Sequence, residues 1–73
     1  MIIFKERLRD IRKDKSCTQK QVAVAVGASE RNYQDWEYGN KKPAFDTLIA
    51  LADYFNVSLD YLVGRTNNPT MNQ

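Results

Sequence analysis

Between Thr18 and Gly39 the sequence holds two helix starts and two helix stops, and this punctuation restricts the middle of the chain to two short helices. Thr18-Gln19-Lys20-Gln21 fits a capping box: the Thr18 hydroxyl accepts from the residue 21 N–H, and the Gln21 side chain reaches back to the Thr18 N–H. Gly27 stands where a left-handed residue closes a helix. Ser29 offers the next N-cap, with Glu30 in the first turn beside it, and Gly39 stops that helix. Inside the first of the two helices, Val22-Ala23-Val24-Ala25-Val26 alternates β-branched residues as a strand would. The cap in front, the glycine behind and the lack of a nearby pairing segment decide for helix.

The flanks follow the same grammar. Phe4, Leu8 and Ile11 recur at i, i+4, i+7 and give an amphipathic helix over residues 3–14. Phe45, Leu48, Ile49, Ala52 and Phe55 form the widest apolar stripe, a helix at 45–55 that ends at Asn56. Ser58 caps a short fifth helix, Leu59 to Val63, closed by Gly64. The expectation is an all-α, compact five-helix domain over residues 1–65, followed by a disordered polar tail at 66–73.

With 73 residues and a single cysteine, the chain has no internal disulfide to reinforce a modest core. It has no histidine, so a zinc staple is not expected either. Cys17 precedes the Thr18 cap and pairs in register with Val22 as a hydrophobic staple. It reads as a small buried hydrophobe rather than a reactive thiol, because no histidine can activate it. The same lack removes the commonest general acid–base, and all three glycines fall at helix ends rather than in a phosphate loop. No enzyme, cofactor or metal is expected. Neither a membrane-spanning run nor a signal peptide is present in the sequence, which points to the cytoplasm.

Charge is unevenly spread. Residues 1–20 carry seven basic and three acidic side chains, a net of +4, whereas residues 21–60 carry three basic and six acidic, a net of −3. A polyanionic partner suits the first of these segments. The two capped helices joined at Gly27-Ala28-Ser29 have the spacing of a helix-turn-helix, in which the second helix stands proud of the body and can enter the major groove of DNA. Tyr33 and Trp36 anchor its buried side; Glu30, Arg31, Gln34 and Asp35 fall on the other.

Leu8-x-x-Ile11-Arg12, Thr18-Gln19-x-x-Val22-Ala23-x-x-Val26-Gly27-x-Ser29 and Tyr33-x-x-Trp36-Glu37-x-Gly39-x-x-x-Pro43 closely resemble the Cro/cI-type family, the lambda-repressor-like or XRE helix-turn-helix domain. Thr47-Leu48-x-x-Leu51-Ala52-x-x-Phe55-x-Val57-Ser58-Leu59-Asp60-Tyr61-Leu62 continues the resemblance, which covers residues 3–65. The resemblance implies base reading by Glu30, Arg31, Gln34 and Asp35. Arg31 would be bidentate to guanine, Gln34 would pair with adenine, and Glu30 would accept from a cytosine amino group. Each carboxylate also has a plain reading: Glu30 complements the helix dipole and Asp35 is solvated.

The resemblance further implies that Gln19 binds a backbone phosphate and braces the reading helix. Ser29, Asn40, Lys41 and Lys42 would contact phosphates as well, with Lys13 and Lys15 toward the flanks. Arg12 and Glu37 match the family's pair that ties the first helix to the end of the third, and a partly buried ion pair is expected. Ala44 departs from the family's usual capping residue, so the fourth helix starts with weak capping or uses Asp46. The function implied is a sequence-specific transcriptional regulator of double-stranded DNA, a repressor in type, acting as a homodimer on a symmetric operator. The dimer contact would fall near Tyr61, Leu62 and Val63. No sensor domain is expected, which leaves control to protein level, a partner or operator competition. Two alternatives stay open: an antitoxin-type DNA binder that also holds a protein, and a protein-interaction module that kept the fold without DNA.

Overall fold

The computed structural model of the protein describes residues 3–70. Five helices succeed one another: α1 (Phe4–Asp14), α2 (Gln19–Ala25), α3 (Glu30–Tyr38), α4 (Phe45–Phe55) and α5 (Leu59–Leu62). No strand occurs among the described residues. The punctuation works as the sequence implies. Thr18 and Gln21 form the reciprocal capping box, with the Gln21 N–H donating to Thr18 Oγ1 at 3.0 Å and the Thr18 N–H donating to Gln21 Oε1 at 2.8 Å. Ser29 and Ser58 accept from the N–H groups of Asn32 and Tyr61. Ala44 gives α4 no side-chain cap, and Asp46 lies in its first turn.

Gly27 takes a φ of +75° between α2 and α3. The turn is short because the Ala28 N–H reaches back to the Ala23 carbonyl at 2.9 Å, and a left-handed residue permits that reversal. α2 and α3 thereby pack on each other, α1 packs across α3, and α5 closes against α1 and α4. Their shared core is built from Leu8, Ile11, Val22, Ala23, Tyr33, Trp36, Leu51, Ala52, Phe55, Val57 and Leu62. Each large apolar side chain fully withdrawn from water contributes about 1.5–3 kcal/mol, and Leu8, Val22, Leu51 and Leu62 reach 0% exposure.

Three expectations change on contact with the fold. α4 buries Leu51, Ala52 and Phe55, whereas Phe45 remains 66% exposed and Ile49 is partly open. Phe45 sits at the helix start, beyond the reach of the core, and Ile49 is rotated about 100° from Leu48 toward solvent. Cys17 is half-buried rather than enclosed, with its sulfur 3.8 Å from the Tyr54 hydroxyl at the mouth of an open groove that Lys20, Gln21 and Val24 also line. Leu62 belongs wholly to the core, which leaves only Tyr61 and Val63, both half-buried, at the surface where a second copy was expected.

The segment after α5 folds back. Buried Arg7 donates from Nη1 to the Tyr61 carbonyl at 2.9 Å and the Thr66 carbonyl at 3.1 Å, and from Nη2 to Asn67 Oδ1 at 2.9 Å. Its guanidinium carbon also lies 3.9 Å from the centre of the Tyr61 ring, a cation–π geometry. The Ser58 N–H donates to the Pro69 carbonyl at 3.0 Å. Of the segment expected to be a disordered tail, Thr66, Asn67 and Pro69 make these contacts, and residues 71–73 lie outside those described.

Candidate nucleic-acid interface

α3 is fixed by one side and free on the other. Tyr33 is fully buried, Trp36 nearly so, and their rings meet edge to face with centroids 5.6 Å apart. Opposite them Glu30, Arg31 and Asn32 are exposed, Gln34 is half-buried, and the exposed Asn40, Lys41 and Lys42 come directly after in the next turn. The Ser29 hydroxyl accepts its cap bond from the Asn32 N–H and keeps its own O–H free to donate.

The attachment of α3 is polar as well as apolar. Arg12 donates from Nε to Glu37 Oε2 at 2.6 Å and from Nη2 to Oε1 at 3.1 Å, a bidentate pair that ties α1 to the last turn of α3. Gln19 Nε2 donates to Glu37 Oε1 at 3.1 Å, and the Tyr33 hydroxyl donates to Oε2 at 2.5 Å. Gln34 Nε2 reaches Gln19 Oε1 at 3.4 Å and extends the network to the outer side of α3. The expected Arg12–Glu37 pair is therefore present, and Gln19 braces α3 from α2 through one of its two amide hydrogens.

Burial by itself raises the carboxyl pKa of Glu37, but the hydrogen bonds from Arg12, Tyr33 and Gln19 outweigh it and hold the group below its ordinary value. The Glu37 carboxylate raises the pKa of Arg12 against a smaller opposing effect of burial. Tyr33 is pushed well above the usual phenol range, first by burial and then by its bond to the carboxylate. All three therefore stay in the charge state that the network uses.

Asp35 departs from the sequence expectation. It is 8% exposed, not an open acceptor on the outer face. Its carboxylate faces Arg31 Nε at 4.0 Å and Lys41 Nζ at 3.8 Å. The cause is the helix end: Gly39 adopts φ +83°, and the N–H groups of Gly39, Asn40 and Lys41 all converge on the Asp35 carbonyl. The turn is thus drawn back over Asp35. Two further contacts lie outside the sequence expectations. The Tyr33 hydroxyl bond was signalled by the i, i+4 spacing to Glu37; the role of Arg7 had no local signal, since its partners lie 54 to 60 residues away.

Among the described residues no helix is long and apolar enough to cross a membrane, and no group of three candidate metal ligands stands together. A family pattern described as "Helix-turn-helix" matches residues 8–62. The chain is 37% identical over 67 residues to the uncharacterized HTH-type transcriptional regulator YobD of Bacillus subtilis, covering 92% of this chain and 60% of that protein. It is 39% identical to the cryptic phage CTXphi transcriptional repressor RstR of Vibrio cholerae, covering 85% of this chain and 55% of the other. The chain thus spans little more than half the length of these curated relatives.

Among solved structures, the P22 c2 repressor protein in complex with a synthetic operator superposes with a TM-score of 0.83 at 29% identity, covering 90% of this chain and all of that one. The P22 c2 DNA-binding domain in solution gives 0.79 at 30% identity, covering 90% and 92%. A capped pair of helices around Gly27, an α3 tethered through Glu37, and a match over residues 8–62 together place the chain in the helix-turn-helix family of the Cro/cI, lambda-repressor-like type.

Proposed function

We propose that the protein is a sequence-specific, double-stranded DNA-binding transcriptional regulator of the repressor type, acting in the cytoplasm. The observation that carries this reading is the one-sided attachment of α3: Tyr33, Trp36 and Glu37 hold it from behind while Glu30 and Arg31 stand clear. A helix so mounted fits the major groove, which is about 12 Å wide. The likeness to a repressor solved with its operator supports the same docking.

In this reading Arg31 is bidentate to guanine O6 and N7, Gln34 pairs with adenine, and Glu30 either accepts from cytosine or complements the start of α3. Asn40, Lys41 and Lys42 meet backbone phosphates from the turn after α3, with Gln19 and Ser29 near the starts of α2 and α3. A single module offers a small contact area, so two copies bind together, their reading helices about 34–36 Å apart on successive major grooves. Residues 1–65 form the binding unit.

The test is a duplex titration by fluorescence anisotropy at several salt concentrations, then selection of bound duplexes from a random pool. Lys41 and Lys42 from two copies alone give a slope of log K against log salt near −4. Arg31→Ala should abolish preference at one base position in each half-site. A flat salt response with no selected sequence would refute DNA binding and favour a protein-interaction module. Co-purification of a second protein alongside a steep slope would favour the antitoxin-type reading.

A further inference from the structure

We propose that Asp35 is a positioning residue for DNA reading: placed between the Arg31 guanidinium and the Lys41 ammonium, its carboxylate aims Arg31 at its base. The inference rests on the DNA-binding function proposed above and deepens it by assigning a residue that sets specificity without touching a base.

A group that reads bases must present its lone pairs outward, yet Asp35 is 8% exposed while the Arg31 side chain is 85% exposed. Asp35 lies one helical turn beyond Arg31, the spacing at which two side chains on one face meet. Lys41 comes from a different direction. The left-handed Gly39 and the convergence of three N–H groups on the Asp35 carbonyl fold the turn back, so that Lys41 Nζ lies 3.8 Å from one carboxylate oxygen while Arg31 Nε lies 4.0 Å from the other. One anion thus links a base-reading cation to a phosphate-contacting one.

Such pairs at a surface add little to fold stability. Their effect falls on the side chain's freedom. An unrestrained arginine loses its rotamers on binding, whereas one already restrained loses less. The planar guanidinium needs a defined approach to be bidentate, and a good bidentate contact separates right from wrong base by roughly five- to more than a hundred-fold. Asp35 also carries a negative charge toward a polyanion, which weakens binding to every duplex alike. Its removal therefore has two effects of opposite sign: binding in general improves while discrimination falls.

The experiment compares wild type, Asp35→Asn, Arg31→Ala and the double variant on the selected duplex, on each single-base change of it, and on random duplex. Asp35→Asn should flatten preference about three- to ten-fold, a fraction of a full bidentate contact, at the position that Arg31→Ala also flattens. Binding to random duplex should be equal or tighter, and the double variant should discriminate no worse than Arg31→Ala alone. Asp35→Ser repeats the comparison should the asparagine variant unfold at the assay temperature.

Loss of preference at a different base position would make Asp35 a direct reader and overturn the proposal. Uniform weakening on all duplexes would make it a prop of the fold, and unchanged discrimination would make it inert; either result overturns it too. If the wild type itself shows no salt-dependent duplex binding, the DNA-binding function fails first, and that result is distinct from the others.

Discussion

Glu37→Ala is the most informative single change in this molecule. The carboxylate accepts four hydrogen bonds, two from Arg12 and one each from Gln19 and Tyr33. Alanine leaves a guanidinium and a phenol without their acceptor. Breaking one side of a buried pair costs roughly 3–5 kcal/mol. The Arg12 side chain keeps 14% exposure, so water can reach part of the stranded charge, which favours the lower end of that range. Fully buried Tyr33 has no such route, and an unsatisfied hydroxyl adds about 1 kcal/mol or more.

A loss near 4 kcal/mol is large against the roughly 4–11 kcal/mol expected for a domain of this size. Thermal unfolding monitored by far-ultraviolet circular dichroism should show a midpoint lowered by about 15–30 °C. A midpoint within about 3 °C of wild type would refute the claim that this network holds α3. The acid limb supplies an independent check. Because the folded pKa of Glu37 is depressed, its contribution is complete above the ordinary carboxylate range and is lost as pH falls through the folded value. Glu37→Ala should therefore show a flatter decline of stability in acid than wild type does. Replacing Arg12, Tyr33 and Glu37 together by Met, Phe and Leu strands none of the three and should recover most of the loss.

Tyr33→Phe tests the alkaline side. The raised folded pKa of Tyr33 means that the unfolded chain ionises first, so stability falls above about pH 10 by up to ~1.4 kcal/mol per pH unit; the phenylalanine variant should lack that component in urea titrations, and parallel curves would refute it. Ser16 occupies the left-handed region at φ +58°, so Ser16→Gly should stabilise by about 0.5–1 kcal/mol, read as a rise in urea midpoint; a lower midpoint would refute the strain. Arg7→Met should release the segment after α5, seen as faster hydrogen exchange at the Ser58 amide, whose acceptor is the Pro69 carbonyl; unchanged exchange would show that Arg7 does not hold the segment.

The helices were legible because their ends are written in local chemistry. Thr18, Ser29 and Ser58 cap, and Gly27, Gly39 and Asn56 turn left-handed, all within a few residues of the ends they control. The α1–α3 tie was legible only through resemblance, since nothing local relates Arg12 to a residue 25 positions away. Asp35 was misplaced for an instructive reason. A helical wheel puts it beside Gln34 on the outer face, but the turn after Gly39 closes over it, and a wheel holds no information about the chain beyond the helix end. Phe45 failed likewise: periodicity assigns it a side, while its exposure depends on how far along α4 the core extends.

The three-way junction at Glu37 has a consequence for control. The chain contains no histidine, the junction's acid titrates lower than usual, and its phenol and guanidinium titrate higher. Mild acidification or alkalinisation around neutrality thus leaves all three groups in their charge states, and α3 keeps one attitude throughout. Signals that act through proton concentration have nothing here to grip.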